Sequence, residues 1–229
     1  MNDIVSKQRT FFYTHKTKAI QFRLAQLNKL GTLLKSNEDL LYQAIYKDFK
    51  KSKFDTYVTE LALLYQDLKE AKKNIHKWSR TKRVGTNMLN FPASSYIIPE
   101  PLGVCLVIGA WNYPYQLTLA PVIAAIAAGN TVIIKPSEMA PKTSALMANL
   151  INENFDSAFL KVVEGGVSET TTLLKSKFDK IFFTGSPQVG KIIYQAAAKN
   201  LTPVTLELGG KSPAIITADS NLKMTVKRM

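Results

Sequence analysis

Four short apolar runs, each followed by a segment with helical spacing, constrain this fold more than any other feature of the sequence. The pairs are 103–108 with 117–128, 131–135 with 143–154, 160–163 with 170–175, and 181–184 with 187–199. Strands that alternate with helices in this way form a parallel sheet whose faces are covered by helices. Ligands bind such sheets beyond the carboxyl ends of the strands, where Asn112, Lys135 and Gly185 fall. The sequence therefore predicts an α/β fold with a ligand site at that edge.

The first 80 residues have a different pattern, which predicts helices only. Apolar residues recur every three or four positions from residue 54 to residue 78, which indicates one long amphipathic helix, and two shorter stripes precede it. Residues 84–101 then bring Gly85 and several prolines around a short strand-like run at 95–98. We therefore place a boundary between a helical segment, 1–83, and the α/β part of the chain.

Charge and cysteine content narrow the classes of function. The chain has 229 residues and a formal net charge of +13, most of it in the first 83 residues. Aromatic side chains are not interleaved with the cations as base stacking requires, so solvated helix faces are favoured over a nucleic-acid partner. Cys105 is the only cysteine and the two histidines are far apart, which excludes an intramolecular disulfide and shows no metal-ligand spacing. The single cysteine favours a reducing, cytoplasmic setting. No apolar run reaches the roughly 20 residues that are needed to span a bilayer.

The stretch 181–191 predicts a strand, a tight turn and a helix. Ser186 is a good N-cap and Gly185 permits close approach of a ligand, so the helix N-terminus would offer free N–H groups to a phosphate. The spacing of the glycines before Lys191 also matches part of a P-loop, but Ile192 stands where the Mg²⁺-binding Ser or Thr is required. A dinucleotide is therefore favoured over a nucleoside triphosphate, and a turn without any ligand stays an alternative.

Two polar residues are candidates for chemistry. Glu207 lies in a strand-like run in which Leu206 and Leu208 share the opposite face, and a carboxylate in partly apolar surroundings suits a general base near neutral pH. The alternative is a solvent-facing strand residue. Asn112 either caps the helix that follows it or donates its amide to a developing oxyanion.

Four segments together resemble the aldehyde dehydrogenase superfamily, and they occur in the order of that family. They are GVCLVIGAWNYP at 103–114, GNTVIIKPSE at 129–138, FTGSPQVG at 183–190 and LELGGKSP at 206–213. The early position of Asn112, with Ala110 before Trp111, is similar to the short class 3-type branch. The resemblance covers nearly the whole chain.

The resemblance implies oxidation of an aldehyde to a carboxylic acid, with NAD or NADP as the cofactor and a thioester on a cysteine. It places Asn112 at the oxyanion and Glu207 beside the water that releases the acid. The implied cofactor-binding residues are Trp111, then Lys135 and Glu138 at the adenosine ribose, and Gly185, Ser186, Val189 and Gly190 along the pyrophosphate. It also implies a small-molecule aldehyde as the substrate, no nucleic acid and a homodimer of the full-length family member.

The nucleophile of that chemistry is not found in this chain. The family cysteine follows the glutamate by roughly 30 to 35 residues, whereas only 22 residues follow Glu207. Cys105 lies inside a strand, where a buried thiol is expected. We therefore expect an inactive fragment whose normal homodimer is not expected to form, with a non-catalytic nucleotide-binding or assembly module as the alternative. Its expected parts are a helical segment (1–83), an extended linker (84–101), a Rossmann-like NAD(P)-binding domain (102–205) and the start of a catalytic domain (206–229).

Overall fold

The computed structural model describes residues 2–229. The α-helices are α1 (Asn2–Tyr13), α2 (Ile20–Ser36), α3 (Glu38–Phe49), α4 (Lys53–Thr56), α5 (Ala62–Trp78), α6 (Gln116–Ala128), α7 (Pro141–Asn154), α8 (Val167–Leu174), α9 (Pro187–Ala198) and α10 (Leu222–Arg228). The strands are β1 (Lys82–Val84), β2 (Ser95–Ile97), β3 (Val104–Ile108), β4 (Thr131–Lys135), β5 (Leu160–Val162), β6 (Lys180–Gly185) and β7 (Val204–Leu208).

Strands β3 to β7 form one sheet, in the order β5–β4–β3–β6–β7, and every neighbouring pair is parallel. Central β3 is buried along its whole length. Its side chains alternate between two cores, with Cys105 and Val107 on one face and Val104 and Leu106 on the other. The predicted parallel sheet and all four strand–helix pairs are confirmed.

The helices before the sheet share its core. One continuous apolar cluster joins Leu27 of α2, Ile45 of α3 and Leu64 of α5 to Val107 and Val132 of the sheet. The opposite face of the sheet packs against α1, α8 and α9. The segment 1–83 is therefore mainly helical up to Trp78, as predicted, but it contributes to the sheet's own core on both faces.

Two parts of the helical segment differ from the prediction. Helix α1 shows no clear apolar stripe because the buried Gln8 occupies an inward position, where its amide donates to the backbone oxygens of Val132 and Ser157. The single long helix expected over 54–78 is confirmed, since the backbone stays right-handed helical from Lys53 to Trp78, but a π-helical turn, Tyr57–Leu61, interrupts its regular hydrogen bonding between α4 and α5. A π-turn rotates the residues within it relative to a regular helix.

Two parts of the chain lie on the surface. Strands β1 and β2 form an antiparallel hairpin whose connection exposes Met88, Leu89 and Phe91. Helix α10 has no buried residue, and the run 213–217 is exposed. The expected domain boundary between residues 205 and 206 falls inside β7, which pairs with β6 as far as Leu208.

Candidate functional site

The predicted site residues follow neighbouring strands of the sheet. Asn112 lies in the loop after β3, Lys135 ends β4, and Gly185 ends β6. Glu207 lies near the end of β7, where it pairs with Thr184 of β6. Since all these strands are parallel and adjacent, their carboxyl ends meet at one edge, and the edge gathers the residues that the sequence singled out.

The turn between β6 and α9 has the geometry of a phosphate cradle. Ser186 is the N-cap of α9, and its hydroxyl oxygen accepts the N–H of Val189 at 3.3 Å. A Cβ added to Gly185 would lie 2.4 Å from Cζ of the buried Phe183, so no larger residue fits there without movement. Gly190 is buried against β7, where an added Cβ would meet Leu208 at 3.1 Å. Glycine at these positions holds the first turn of α9 close to the sheet.

A buried hydroxyl beside this turn lacks a partner. Within residues 2–229, the hydroxyl of Thr184 is buried and makes no hydrogen bond. The hydroxyls of Thr118 and Thr131 are buried and unpaired in the same way, so this one does not by itself mark a ligand site. Thr184 shares the sheet face of Phe182, opposite the face on which α9 packs, and only the N–H groups at the start of α9 fit the pyrophosphate of a dinucleotide.

Lys135 is a buried cation at the end of β4, and its side chain is only 1% exposed. Its ammonium group donates to the backbone oxygen of Pro136 at 2.6 Å and to Oε2 of Glu138 at 3.4 Å. Burial lowers the pKa of Lys135, while the nearby Glu138 carboxylate opposes that shift. Half of the Glu138 side chain is exposed. The pair therefore places one fixed donor and one accessible acceptor at the same edge, which suits the hydroxyl groups of a ribose.

The loop after β3 presents its side chains to solvent. Trp111, Asn112 and Tyr113 are all exposed, and the Asn112 amide makes no hydrogen bond to the residues described, 2–229. Asn112 does not cap the helix that follows, because the N-cap of α6 is Tyr115 and the N–H groups there are served by Glu60. The capping alternative is therefore wrong, and the amide is free to bind a ligand.

The surroundings of Glu207 are less apolar than its pattern suggested. Leu206 and Leu208 face Gly190 of α9, as the alternation predicts, but Glu207 itself is exposed. The residues described do not enclose its carboxylate, so the apolar environment expected of a general base is not formed by residues 2–229.

Cys105 is unsuited to nucleophilic chemistry. It lies within β3 with 4% of its surface exposed, and burial raises the pKa of its thiol to about 12. The thiolate is the reactive form of cysteine, and this environment suppresses it. The interpretation of Cys105 as a packing residue agrees with its position in the core.

Two further classes of site find no support in residues 2–229. No group of three or more His, Cys, Asp and Glu residues in this part of the chain is placed to hold a metal ion. Likewise, none of its helices combines the length and the apolar character that crossing a membrane requires.

Three charged residues behind the site, Asp48, Glu60 and Lys51, were not predicted from the sequence. Asp48 accepts the backbone N–H groups of Lys142 and Thr143 at 3.1 and 2.8 Å, and so caps helix α7. Buried Glu60 accepts backbone N–H groups at the start of α6, and Lys51 pairs with it. Nothing in local spacing predicts the two caps, since each joins residues that lie far apart in the sequence. The only sequence indication was a glutamate among the apolar positions of the 54–78 stripe.

Comparison with known proteins agrees with this geometry. The sequence matches the aldehyde dehydrogenase family over residues 1–229. It is 48% identical to 4,4'-diaponeurosporen-aldehyde dehydrogenase of Staphylococcus aureus, with 100% of this chain and 50% of that protein covered. It is 43% identical to the dimeric NADP-preferring aldehyde dehydrogenase of Rattus norvegicus, with 100% of this chain and 51% of that protein covered.

Solved structures are similar as well. A substrate-bound structure of Staphylococcus aureus AldH superposes with a TM-score of 0.94 at 47% identity, over 99% of this chain and 49% of that one. A Mycobacterium tuberculosis aldehyde dehydrogenase complexed with NAD+ has a TM-score of 0.81 at 28% identity, over 96% of this chain and 45% of that one. The chain spans about half the length of the curated relatives it matches. The match over residues 1–229, together with the strand order and the residues at the sheet edge, shows that the chain belongs to the aldehyde dehydrogenase family.

Proposed function

We propose that this chain is the cofactor-binding half of an enzyme that oxidises an aldehyde to a carboxylic acid with NAD or NADP. The observation that carries the proposal is the meeting of a capped helix N-terminus and a buried lysine at one sheet edge. These groups match the charged and hydroxylated parts of a dinucleotide. The relatives support the same chemistry, since one is named as NADP-preferring and another was solved with NAD+.

The residues of the chain divide the work of binding. Ser186, Val189 and Gly190 lie in the first turn of α9, and with Gly185 they hold the pyrophosphate. Lys135 and Glu138 bind the adenosine ribose by donating and accepting hydrogen bonds. Trp111 lies at the same edge and covers part of the cofactor. When bound, the nicotinamide of such a cofactor accepts the two electrons removed from the aldehyde.

Two residues act on the substrate. The free amide of Asn112 donates to the oxygen of the aldehyde as negative charge develops on it. Glu207 takes a proton from the water that releases the acid from a thioester. The thiol of that thioester is not supplied by Cys105, because this residue is buried and protonated. These 229 residues therefore bind the cofactor and position the groups that act on the aldehyde. Turnover depends on a thiol that they do not contain.

Titration of NAD+ and NADP+ into the purified 229-residue chain, followed by calorimetry, tests cofactor binding. Lys135→Met removes a charged donor and should weaken binding by roughly tenfold or more. The matched control is Lys180→Met, at the opposite end of β6, which should leave binding unchanged. An equal loss of cofactor affinity in both variants would contradict the proposal, and so would the absence of binding by the parent chain.

Choice between the two cofactors is tested at Glu138. A carboxylate beside the ribose repels a 2′-phosphate, so Glu138→Gln should strengthen NADP+ binding relative to NAD+. An unchanged ratio of the two dissociation constants would remove Glu138 from the ribose site.

A nucleotide-binding or assembly role without turnover is the second candidate, and the burial of Cys105 favours it for the chain alone. Aldehyde-dependent formation of NAD(P)H distinguishes the two, and the 229-residue chain is expected to give none. Turnover that survives Cys105→Ala would overturn the assignment of the thiol to residues outside this chain. We place the protein in the cytoplasm, because its one cysteine carries a free thiol. We also propose that this chain by itself does not form a homodimer.

A further inference from the structure

A buried ion pair lies directly behind the loop that carries Asn112. Glu60 is fully buried, and its Oε1 accepts the ammonium group of Lys51 at 2.6 Å. The Lys51 side chain is itself only 15% exposed. Removing two charges from water is costly, so a pair of this kind is stable only where further hydrogen bonds complete it.

The second oxygen of Glu60 completes the bonding at the start of α6. Oε2 accepts the backbone N–H of Tyr115 at 2.8 Å and that of Gln116 at 3.3 Å. These are among the N–H groups that a helix leaves without an intrahelical partner, and Tyr115 has no side-chain cap to serve them. A carboxylate from a different helix therefore supplies the cap and complements the helix dipole.

The π-helical turn places Glu60 where it can do this. Glu60 lies within the turn Tyr57–Leu61, between α4 and α5, and it points into the core beside the buried Leu61. Both Thr56 and Leu64 remain buried on either side of the turn. Turns of this kind are rare and often occur at functional sites, because the extra residue redirects a side chain that a regular helix would place elsewhere.

Lys51 holds the other side of the same loop. Its ammonium group lies 4.3 Å from the centroid of the Tyr113 ring, within cation–π distance. Phe49, two residues before Lys51, contacts the Trp111 ring at 5.9 Å between centroids. The residues before and after Asn112 are therefore both in contact with residues 49–51, at and just beyond the end of α3.

We propose that Lys51 and Glu60 are positioning residues that fix the 111–113 loop and so present the Asn112 amide at the sheet edge. This inference rests on the oxyanion role given to Asn112 in the proposed function. Neither residue contacts the reacting atoms. Glu60 fixes the start of α6, Lys51 fixes Tyr113, and their ion pair keeps the two contacts in register.

The test follows the loop directly and requires no turnover. In a Trp78→Phe background Trp111 is the only tryptophan, so its emission and its quenching by acrylamide report on the loop. Glu60→Gln and Lys51→Met should each shift Trp111 emission to the red and increase quenching. Amide exchange at Tyr115 and Gln116 should quicken by roughly tenfold or more in Glu60→Gln, because charged acceptors contribute more than neutral ones.

Glu38→Gln is the matched control. Glu38 accepts the hydroxyl groups of Tyr42 and Tyr65, so this change removes a similarly bonded carboxylate away from the loop. It should alter neither the Trp111 signals nor exchange at Tyr115. If Glu60→Gln lowers the melting temperature but leaves the Trp111 signals and exchange at Tyr115 unchanged, Glu60 is a structural residue and the proposal is wrong.

The double variant Glu60→Gln with Lys51→Met guards against misfolding of the single variants, because it leaves no unpaired buried charge. It should fold and still show the loosened loop, and its Trp111 shift should be smaller than the sum of the two single shifts. Additive shifts would show that the two residues act independently, against the proposal. Failure of NAD(P)+ to bind the parent chain would instead remove the proposed function and leave these loop signals unaffected.

Discussion

Gly185 shows how one residue sets the shape of the cofactor edge. A side chain at this position would collide with the ring of Phe183. That ring is only 4% exposed and cannot move without disturbing the core. Gly209, one residue beyond β7, has open space around it instead. The two glycines look alike in the sequence, since each follows a strand, and only the packed structure separates them.

Gly185→Ala should therefore destabilise the chain by about 1–3 kcal/mol, the usual cost of forcing an extra carbon into a packed site. Cofactor binding should weaken as well, because the turn before α9 must shift. Gly209→Ala should change stability by less than about 0.5 kcal/mol. Urea unfolding of both variants measures the difference, and equal values would contradict the packing explanation.

Cys105 gives a prediction in the alkaline range. Burial raises its pKa from an ordinary 9.0 to about 12, so the folded chain keeps a proton that the unfolded chain has released. The stability that this thiol contributes is complete below pH 9 and is lost as the pH rises towards 12, by at most about 1.4 kcal/mol per pH unit. Cys105→Ala should make the fall in unfolding free energy between pH 8.5 and 10 less steep. The same slope in both proteins would show that the thiol is not the cause.

At the scale of elements, the helices and strands that could be predicted from the sequence are those with a clear local periodicity. The bounds of β4 matched, because Thr131–Lys135 is a short apolar run that ends in a charged residue and a proline. Helix α1, the π-turn and the inward-facing Glu60 were missed because their polar side chains find partners more than 50 residues away. Of the site, the turn at Gly185 and Ser186 was predictable since its chemistry is local, whereas the carboxylates that cap α6 and α7 come from distant parts of the sequence.

Asp48 illustrates such a tertiary support, and its effect is measurable. It caps α7 from the end of α3, and its Oδ2 also accepts the hydroxyl of Thr143 at 2.8 Å. Asp48→Ala should lower the unfolding free energy by roughly 1–2 kcal/mol, as the loss of a helix cap does. The control is Asp39→Ala, whose carboxylate pairs with Lys53 at the surface and should contribute less than about 1 kcal/mol. If both variants lose the same unfolding free energy, the cap contributes no more to stability than a surface ion pair does.

At the scale of the whole molecule, the apolar surface is unevenly distributed. The hairpin connection leaves Met88, Leu89 and Phe91 between 84% and 95% exposed. Strand β7 also forms an edge of the sheet without a neighbour among residues 2–229. Exposed apolar clusters and open strand edges both favour association with other chains.

We expect the chain to associate as its concentration rises, which light scattering after size-exclusion chromatography would detect. Leu89→Ser with Phe91→Ser should reduce association without lowering the melting temperature, because neither side chain is buried. Ile192→Ser on α9 is the control for an exposed apolar side chain outside the hairpin and should have less effect. A monodisperse monomer with a cooperative melt would contradict the prediction.

The apolar cluster shared by the first helices and the sheet makes the segment 1–83 inseparable from the rest. The composition of the chain invites a cut near residue 83, since the basic helical part ends there. A polypeptide of residues 84–229 would, however, expose the face of α6 and the sheet against which Leu27, Ile45 and Leu64 pack. It would also lose both carboxylates that cap α6 and α7. Residues 1–83 and the sheet therefore fold as one unit, and during synthesis the first helices can complete their core only after the strands that they cover have been made.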